Sequence, residues 1–186
     1  MPDDPEPDNP QPDDPARSGT AECEELSGEE VQVAERAERD ETEPGDPDLR
    51  GVTVSDVRMA VPARVGVEAG MVTLREEDEP YRELGIVIGQ PEARAISAAW
   101  NEVAPLRPLP WDLVVSAVAL LGGSLEAAVV TAVEEGRHFY AELWLHRAGE
   151  KLVLASRPSD AIAIALRSSR PIYVHKDVLD QVAPIP

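Results

Sequence analysis

The run Ala161-Ile162-Ala163-Ile164-Ala165-Leu166 constrains this chain more than any other stretch. Pro158 before it suits the first turn of a helix, where a missing N–H costs nothing, so the spacing predicts a helix over about Pro158–Leu166. A helix without a polar face is a buried helix. The rest of the folded chain therefore has to cover it on every side.

That cover has to come from residues 49–186. Residues 1–48 hold 18 acidic and 3 basic side chains, a net of −15, whereas residues 49–186 hold 18 and 14, a net of −4. Residues 1–16 are almost entirely Pro, Asp, Glu, Asn and Gln, and such a segment buries too little apolar surface to offset its ordering entropy. Between Ala21 and Arg39 the composition shifts, but Leu26, Val31 and Val33 form no stripe. Pro44-Gly45-Asp46-Pro47 then punctuates the chain. The expectation is a disordered acidic tail over 1–48 and one domain over 49–186.

The domain opens with strand patterns. Val52 and Val54, then after a break Val57, Met59 and Val61, are spaced as in a half-buried strand. A second strand run covers about Arg64–Leu74, with a hairpin turn expected near Glu68-Ala69-Gly70. The charged stretch Glu76–Pro80 reads as a loop, and Glu83–Ile88 as a short strand. Pro91 then opens a helix on which Ala93, Ile96, Trp100 and Val103 recur at helical spacing. A second helix is expected over Trp111–Leu121, with Val114, Ala117, Val118 and Leu121 on one face and Gly122-Gly123 as its stop. Three strands follow, over about 125–133, 138–146 and 151–155, separated by Glu135-Gly136 and Ala148-Gly149, which predicts an antiparallel meander. After the apolar helix, Pro171–Val174 reads as a last strand and Asp177–Val182 as a last helical turn or two. Strands in runs and helices in separate blocks indicate an α+β fold, a mainly antiparallel sheet with about three packed helices.

Composition narrows the function classes. Net charge gives no support for the basic footprint of a nucleic-acid binder, and an acidic tail repels phosphate backbones. Cys23 is the lone cysteine, so neither a disulfide framework nor a cysteine-based zinc site is expected. Met1-Pro2-Asp3-Asp4 has no basic and apolar leader pattern, and no apolar run approaches the ~20 residues of a membrane helix. A cytoplasmic protein without membrane contact is expected.

Polar residues at the heads of otherwise apolar helices mark the candidate chemistry. Glu92 lies in a first helical turn, where it either complements the helix dipole or serves as a general base or metal ligand. Arg157 and Asp160 flank the start of the apolar helix, with Ser159 between them as a second possible cap. A buried Arg157 needs a carboxylate partner, for which Glu92 and Asp112 are the candidates. It is either part of a structural ion-pair network or a fork that holds a phosphate beside acids that activate water. His138, His146 and His175 have no metal-ligand spacing, and Tyr140 and Trp144 on the strand's outward face are expected to pack or to form an interface.

Three stretches, taken in order, resemble the bifunctional nuclease domain. They are Ile88-Gly89 with Glu92-Ala93 and Ala95-Ile96; Arg107-Pro108-Leu109 with Asp112-Leu113; and Arg157-Pro158-Ser159-Asp160-Ala161-Ile162-Ala163 with Ala165-Leu166-Arg167. Pro171-Ile172-Tyr173 also looks like that family. The resemblance covers roughly Val52–Val182 and implies an α+β domain that self-associates as a homo-oligomer and cuts RNA and DNA. Matching positions for a catalytic set are Glu92, Asp112, Arg157, Ser159 and Asp160. In that hypothesis Glu92 and Asp160 bind a divalent cation such as Mg²⁺ or position water, and Arg157 holds the phosphate. Two features depart from the pattern. Pro110-Trp111 stand where related sequences carry Thr-His, and tryptophan cannot transfer a proton; the acidic tail is also outside it. The alternative reading is a non-catalytic, oligomeric binding or regulatory module.

Overall fold

The computed structural model describes residues 46–64, 67–135 and 137–183. The proposed tail lies almost wholly outside these residues. Among them the elements run β1 (Leu49–Arg64), β2 (Val67–Glu76), β3 (Glu83–Ile88), α1 (Gln90–Trp100), α2 (Pro110–Leu120), β4 (Gly123–Glu134), β5 (His138–Arg147), β6 (Glu150–Ser156), α3 (Pro158–Arg167), β7 (Ile172–His175) and α4 (Lys176–Val182). The class is α+β as expected. The last turn is a fourth helix.

The strands form one sheet in the order β3-β2-β1-β7-β4-β5-β6. Every pairing is antiparallel except β4 with β7, which run parallel. The chain reaches this order by leaving the β6 edge through α3 and inserting β7 between β1 and β4. That insertion joins the β1–β3 hairpins to the β4–β6 meander.

Irregular spacing in the sequence turns out to be bulging. Val52 and Val54 are buried, and then the register slips between Val54 and Asp56, so that Val57 takes the same side. A bulge inserts one residue and reverses the alternation. In β4 the register shifts between Leu125 and Ala127 and again between Val130 and Ala132, which puts Leu125, Ala128, Val130 and Val133 all into the main core. This is why that strand shows no clean period of two.

The expected turn at Glu68-Ala69-Gly70 is corrected. These residues are strand, and the connection between β1 and β2 falls at residues 65–66, outside the described residues. Gly70 has a different task. A Cβ there would collide with the Cβ of Ala93 in α1, so glycine lets the helix seat directly on β2. The close approach buries Ala93 and Ile96.

The main core lies between one sheet face and α1, α3 and α4, with Ile162, Ala163, Ala165, Val178 and Leu179 sealed against Val72, Leu74, Val130 and Val174. The predicted buried helix is α3. On the other face a smaller cluster joins Leu49, Ala127, Val129 and Trp144, with Val153 and Tyr173 against it. Lys151 Nζ lies 3.7 Å from the Trp144 ring centroid. Trp144 is thus packed by its own chain, whereas Tyr140 stays exposed and donates its hydroxyl to Glu134.

The second helix corrects its expected face. Val118 is half-buried, but Val114, Ala117 and Leu121 face outward. The inward residues are Trp111, Asp112, Val115 and Val118. Polar anchors at its first turn, described below, set this rotation.

The charged loop after β2 is exposed over Glu77–Tyr81, but the two residues that bracket it are buried. Glu76 is buried, its Oε2 accepts from Arg82 Nε at 2.8 Å, and its Oε1 accepts from Arg82 Nη2 at 2.9 Å. Arg82 Nη1 reaches on to Asp180 of α4 at 2.5 Å. No helix among the described residues is long and apolar enough to cross a membrane.

Candidate active site

Two helix heads converge at one corner. At the start of α1, Gly89 is the N-cap in extended backbone and Pro91 occupies the first turn, so Glu92 falls on the third helical residue. Its carboxylate folds back over Gly89, into space that a Cβ there would occupy. At the start of α3, Arg157 is the N-cap, again extended, followed by Pro158. The Arg157 carbonyl accepts from the N–H groups of Asp160 and Ala161, each at 3.0 Å. The same local grammar, an extended cap followed by proline and then an acid, therefore points both carboxylates back past their helix starts.

Arg157 joins them. Its Nε donates to Asp160 Oδ2 at 2.7 Å and its Nη2 to Asp160 Oδ1 at 3.2 Å, a two-pronged fork. The same Nη2 stands 3.3 Å from Glu92 Oε1. The hydrogen bonds to Asp160, and then the charge of Glu92, raise the Arg157 pKa above its ordinary value, so the guanidinium stays charged. Side-chain exposure is 67% for Arg157 against 16% for Glu92 and 26% for Asp160. The corner is a cation open to solvent over two half-sunken carboxylates, not a network sealed beneath the surface.

Trp111 completes it. Its indole Nε1 donates to Asp160 Oδ1 at 2.9 Å. The residue that replaces a possible proton carrier is thus a fixed donor that orients the acid. Sequence reasoning missed this role. The available signal was an indole at a helix head directly before Asp112.

The other two predicted residues sit elsewhere. Asp112 Oδ2 accepts from the Leu109 N–H at 2.8 Å, capping α2, and its Oδ1 lies 3.5 Å from Arg167 Nε. Arg167 closes α3 and also donates to the Val103 carbonyl at 3.2 Å. Residues 160 and 167 are seven apart on one helix, about 10 Å at 1.5 Å per residue. Asp112 and Arg167 therefore clamp α2 to the far end of α3, while Trp111 clamps it to the near end. Ser159 is buried among the core residues of α3.

As to a metal, Glu92 and Asp160 share one guanidinium, and among the described residues no group of three or more His, Cys, Asp or Glu is arranged to hold an ion. Two carboxylates are nevertheless a donor set that Mg²⁺ uses when substrate phosphates and waters complete its shell.

The bifunctional nuclease domain matches residues 72–185, a span that includes every residue of the corner. Two uncharacterized proteins of Mycobacterium tuberculosis, from strains CDC 1551 / Oshkosh and ATCC 25618 / H37Rv, are each 44% identical over 110 residues, covering 59% of this chain and 65% of theirs. Bifunctional nuclease 2 of Arabidopsis thaliana is 34% identical over 109 residues, 56% of this chain and 32% of its own. The chain thus spans about two thirds of the mycobacterial relatives and about one third of the plant protein. With the three stretches in order, the α+β sheet around a buried helix, and this match over most of the folded part, the chain belongs to the bifunctional nuclease domain family.

Proposed function

We propose that the domain hydrolyses phosphodiester bonds of RNA or DNA at the corner of Glu92, Arg157 and Asp160, as a cytoplasmic homo-oligomer. The observation that carries this is the exposed guanidinium held between two carboxylates from different helices. Arg157 offers a planar fork to two phosphate oxygens and neutralises charge as it develops on them. To do so it exchanges its contact with Glu92 for the phosphate. Glu92, freed of its partner, then accepts a proton from a water. The water oxygen bonds to phosphorus, the bond from phosphorus to the sugar oxygen breaks, and that oxygen leaves with a proton from solvent. Asp160, oriented by Trp111, keeps Arg157 aligned.

Asp112 acts through Arg167 by fixing α2, and Ser159 by packing under the head of α3. A divalent ion such as Mg²⁺ would find Glu92 and Asp160 as donors, and when bound it supplies charge neutralisation on the phosphoryl oxygens. The steps above belong to the chain's own side chains.

Two observations favour a second reading, a non-catalytic oligomeric module: Arg157 is already satisfied by Asp160 and Glu92, and α2 leaves an apolar face uncovered. A cleavage assay of the full chain on single-stranded RNA and DNA, with Mg²⁺ and with chelator, separates the two. On the nuclease reading the protein cuts, and Glu92→Gln and Asp160→Asn each lower the rate by about 10²-fold or more. Undiminished activity in both variants removes this site, and a wild-type protein that cuts neither polymer removes the nuclease reading.

A further inference from the structure

Of the large apolar side chains left exposed among the described residues, half lie between Val103 and Leu121. Helix α2 and its C-cap Leu121 supply four of these six. Trp111, Val115 and Val118 turn toward the domain, whereas Leu113, Val114, Ala117, Leu120 and Leu121 turn away. Leu113 is 57% exposed, Leu120 87% and Leu121 66%. Together this face leaves on the order of 400 Å² of apolar surface, the size of the largest patch on a typical monomer, which is often functional. That is about half of the ~800 Å² that one partner of a standard interface buries. Leu106, fully exposed in the preceding loop, adds to it.

The chemistry of the face selects its occupant. From Pro108 to Leu125 the lone charge is Asp112, and it is turned to Leu109 and Arg167. A helix that lies on anionic lipid carries Lys and Arg on its flanks, and a nucleic-acid surface carries cations or stacking aromatics; this face has neither. Residues 1–48 hold too few large apolar side chains to cover it. Two copies of an acidic chain repel, and a neutral face is where they meet without opposing like charges.

The outer face is also apolar on both sides of its middle: about Ala117, Leu113 is matched by Leu121 and Val114 by Leu120. In a two-fold interface one patch meets itself. An antiparallel pair crossing at Ala117 sets Leu113 against Leu121 of the other copy and Val114 against Leu120, with the small alanine admitting close approach.

We propose that the outer face of α2 is the surface on which a second copy of this chain docks, antiparallel, across a two-fold axis at Ala117. This rests on the homo-oligomer in the reading above and supplies its surface. Sedimentation velocity of the full chain over a micromolar concentration series tests it, with circular dichroism as the check on folding. The wild type is expected to sediment as a dimer. Leu113→Glu, and Leu120→Glu as an independent variant, are expected to weaken association by about 30-fold or more, the effect of losing one anchoring side chain. The double variant Leu113→Lys/Leu121→Glu is expected to recover it, because each new ammonium faces a new carboxylate across the axis. A wild type that stays monomeric, glutamate variants that sediment as the wild type does, a double variant no tighter than the single one, or binding to anionic vesicles in place of self-association each overturns the proposal. Mass is read without reference to cleavage, so a dimer that cuts nothing removes the nuclease reading and leaves this one standing.

Discussion

At the scale of single residues, the domain places its charged groups where a partner is already fixed. Glu76 and Arg82 show this most clearly. Both are buried, they share four hydrogen bonds, and Arg82 continues to Asp180. Breaking such a pair strands an uncompensated charge, so Glu76→Gln or Arg82→Ala is expected to cost about 3–5 kcal/mol in denaturant unfolding. The hydrogen bonds from Arg82 hold the Glu76 carboxyl below its ordinary 4.5 despite burial. The unfolded state then binds the proton more readily. The contribution of Glu76 to stability is complete above about pH 4.5 and fades as pH falls through its folded value. Glu76→Gln should flatten that acid limb. From sequence Glu76 read as the start of a charged loop and Arg82 drew no assignment, because neither residue sits on a periodic pattern and the third partner is 98 positions from Arg82. Glu92, Arg157 and Asp160 stood out for the opposite reason. They are polar side chains at the starts of otherwise apolar helices, where caps and dipole partners also sit. The partner of Trp111 was not legible, since its acceptor lies 49 residues on.

At the scale of elements, period and punctuation carried most of the assignment. The strand Glu83–Ile88, the helix expected over about Pro158–Leu166 and the meander follow from alternation, proline and glycine. Two readings failed for physical reasons. Gly70 looked like a turn residue, but its lack of a side chain serves packing rather than backbone reversal. Gly70→Ala is expected to push Ala93 off β2 and to cost about 1–3 kcal/mol by overpacking, measurable as a lowered thermal midpoint. In α2 nearly every position is apolar, so the pattern alone did not say which side faces in. The answer came from Trp111 to Asp160 and Asp112 to Arg167, two polar contacts across the fold.

At the scale of the whole molecule, what sequence could not show is the order of the sheet. Short turns specify neighbours along the chain, and they predicted the β4–β6 meander. The placement of β7 between β1 and β4 depends on the path of α3 across the face, a long-range packing choice. That choice makes the corner. It runs α3 beside α1, so that the two helix heads meet and one guanidinium spans both acids. The central claim is that this guanidinium holds the scissile phosphate. Its most direct test is the cleavage rate of full-length Arg157→Ala beside wild type, on the same RNA and DNA, with circular dichroism to confirm that both are folded. The account predicts a loss of about 10²-fold or more from removing a charge-stabilising donor. Cleavage by the variant at the wild-type rate would contradict it.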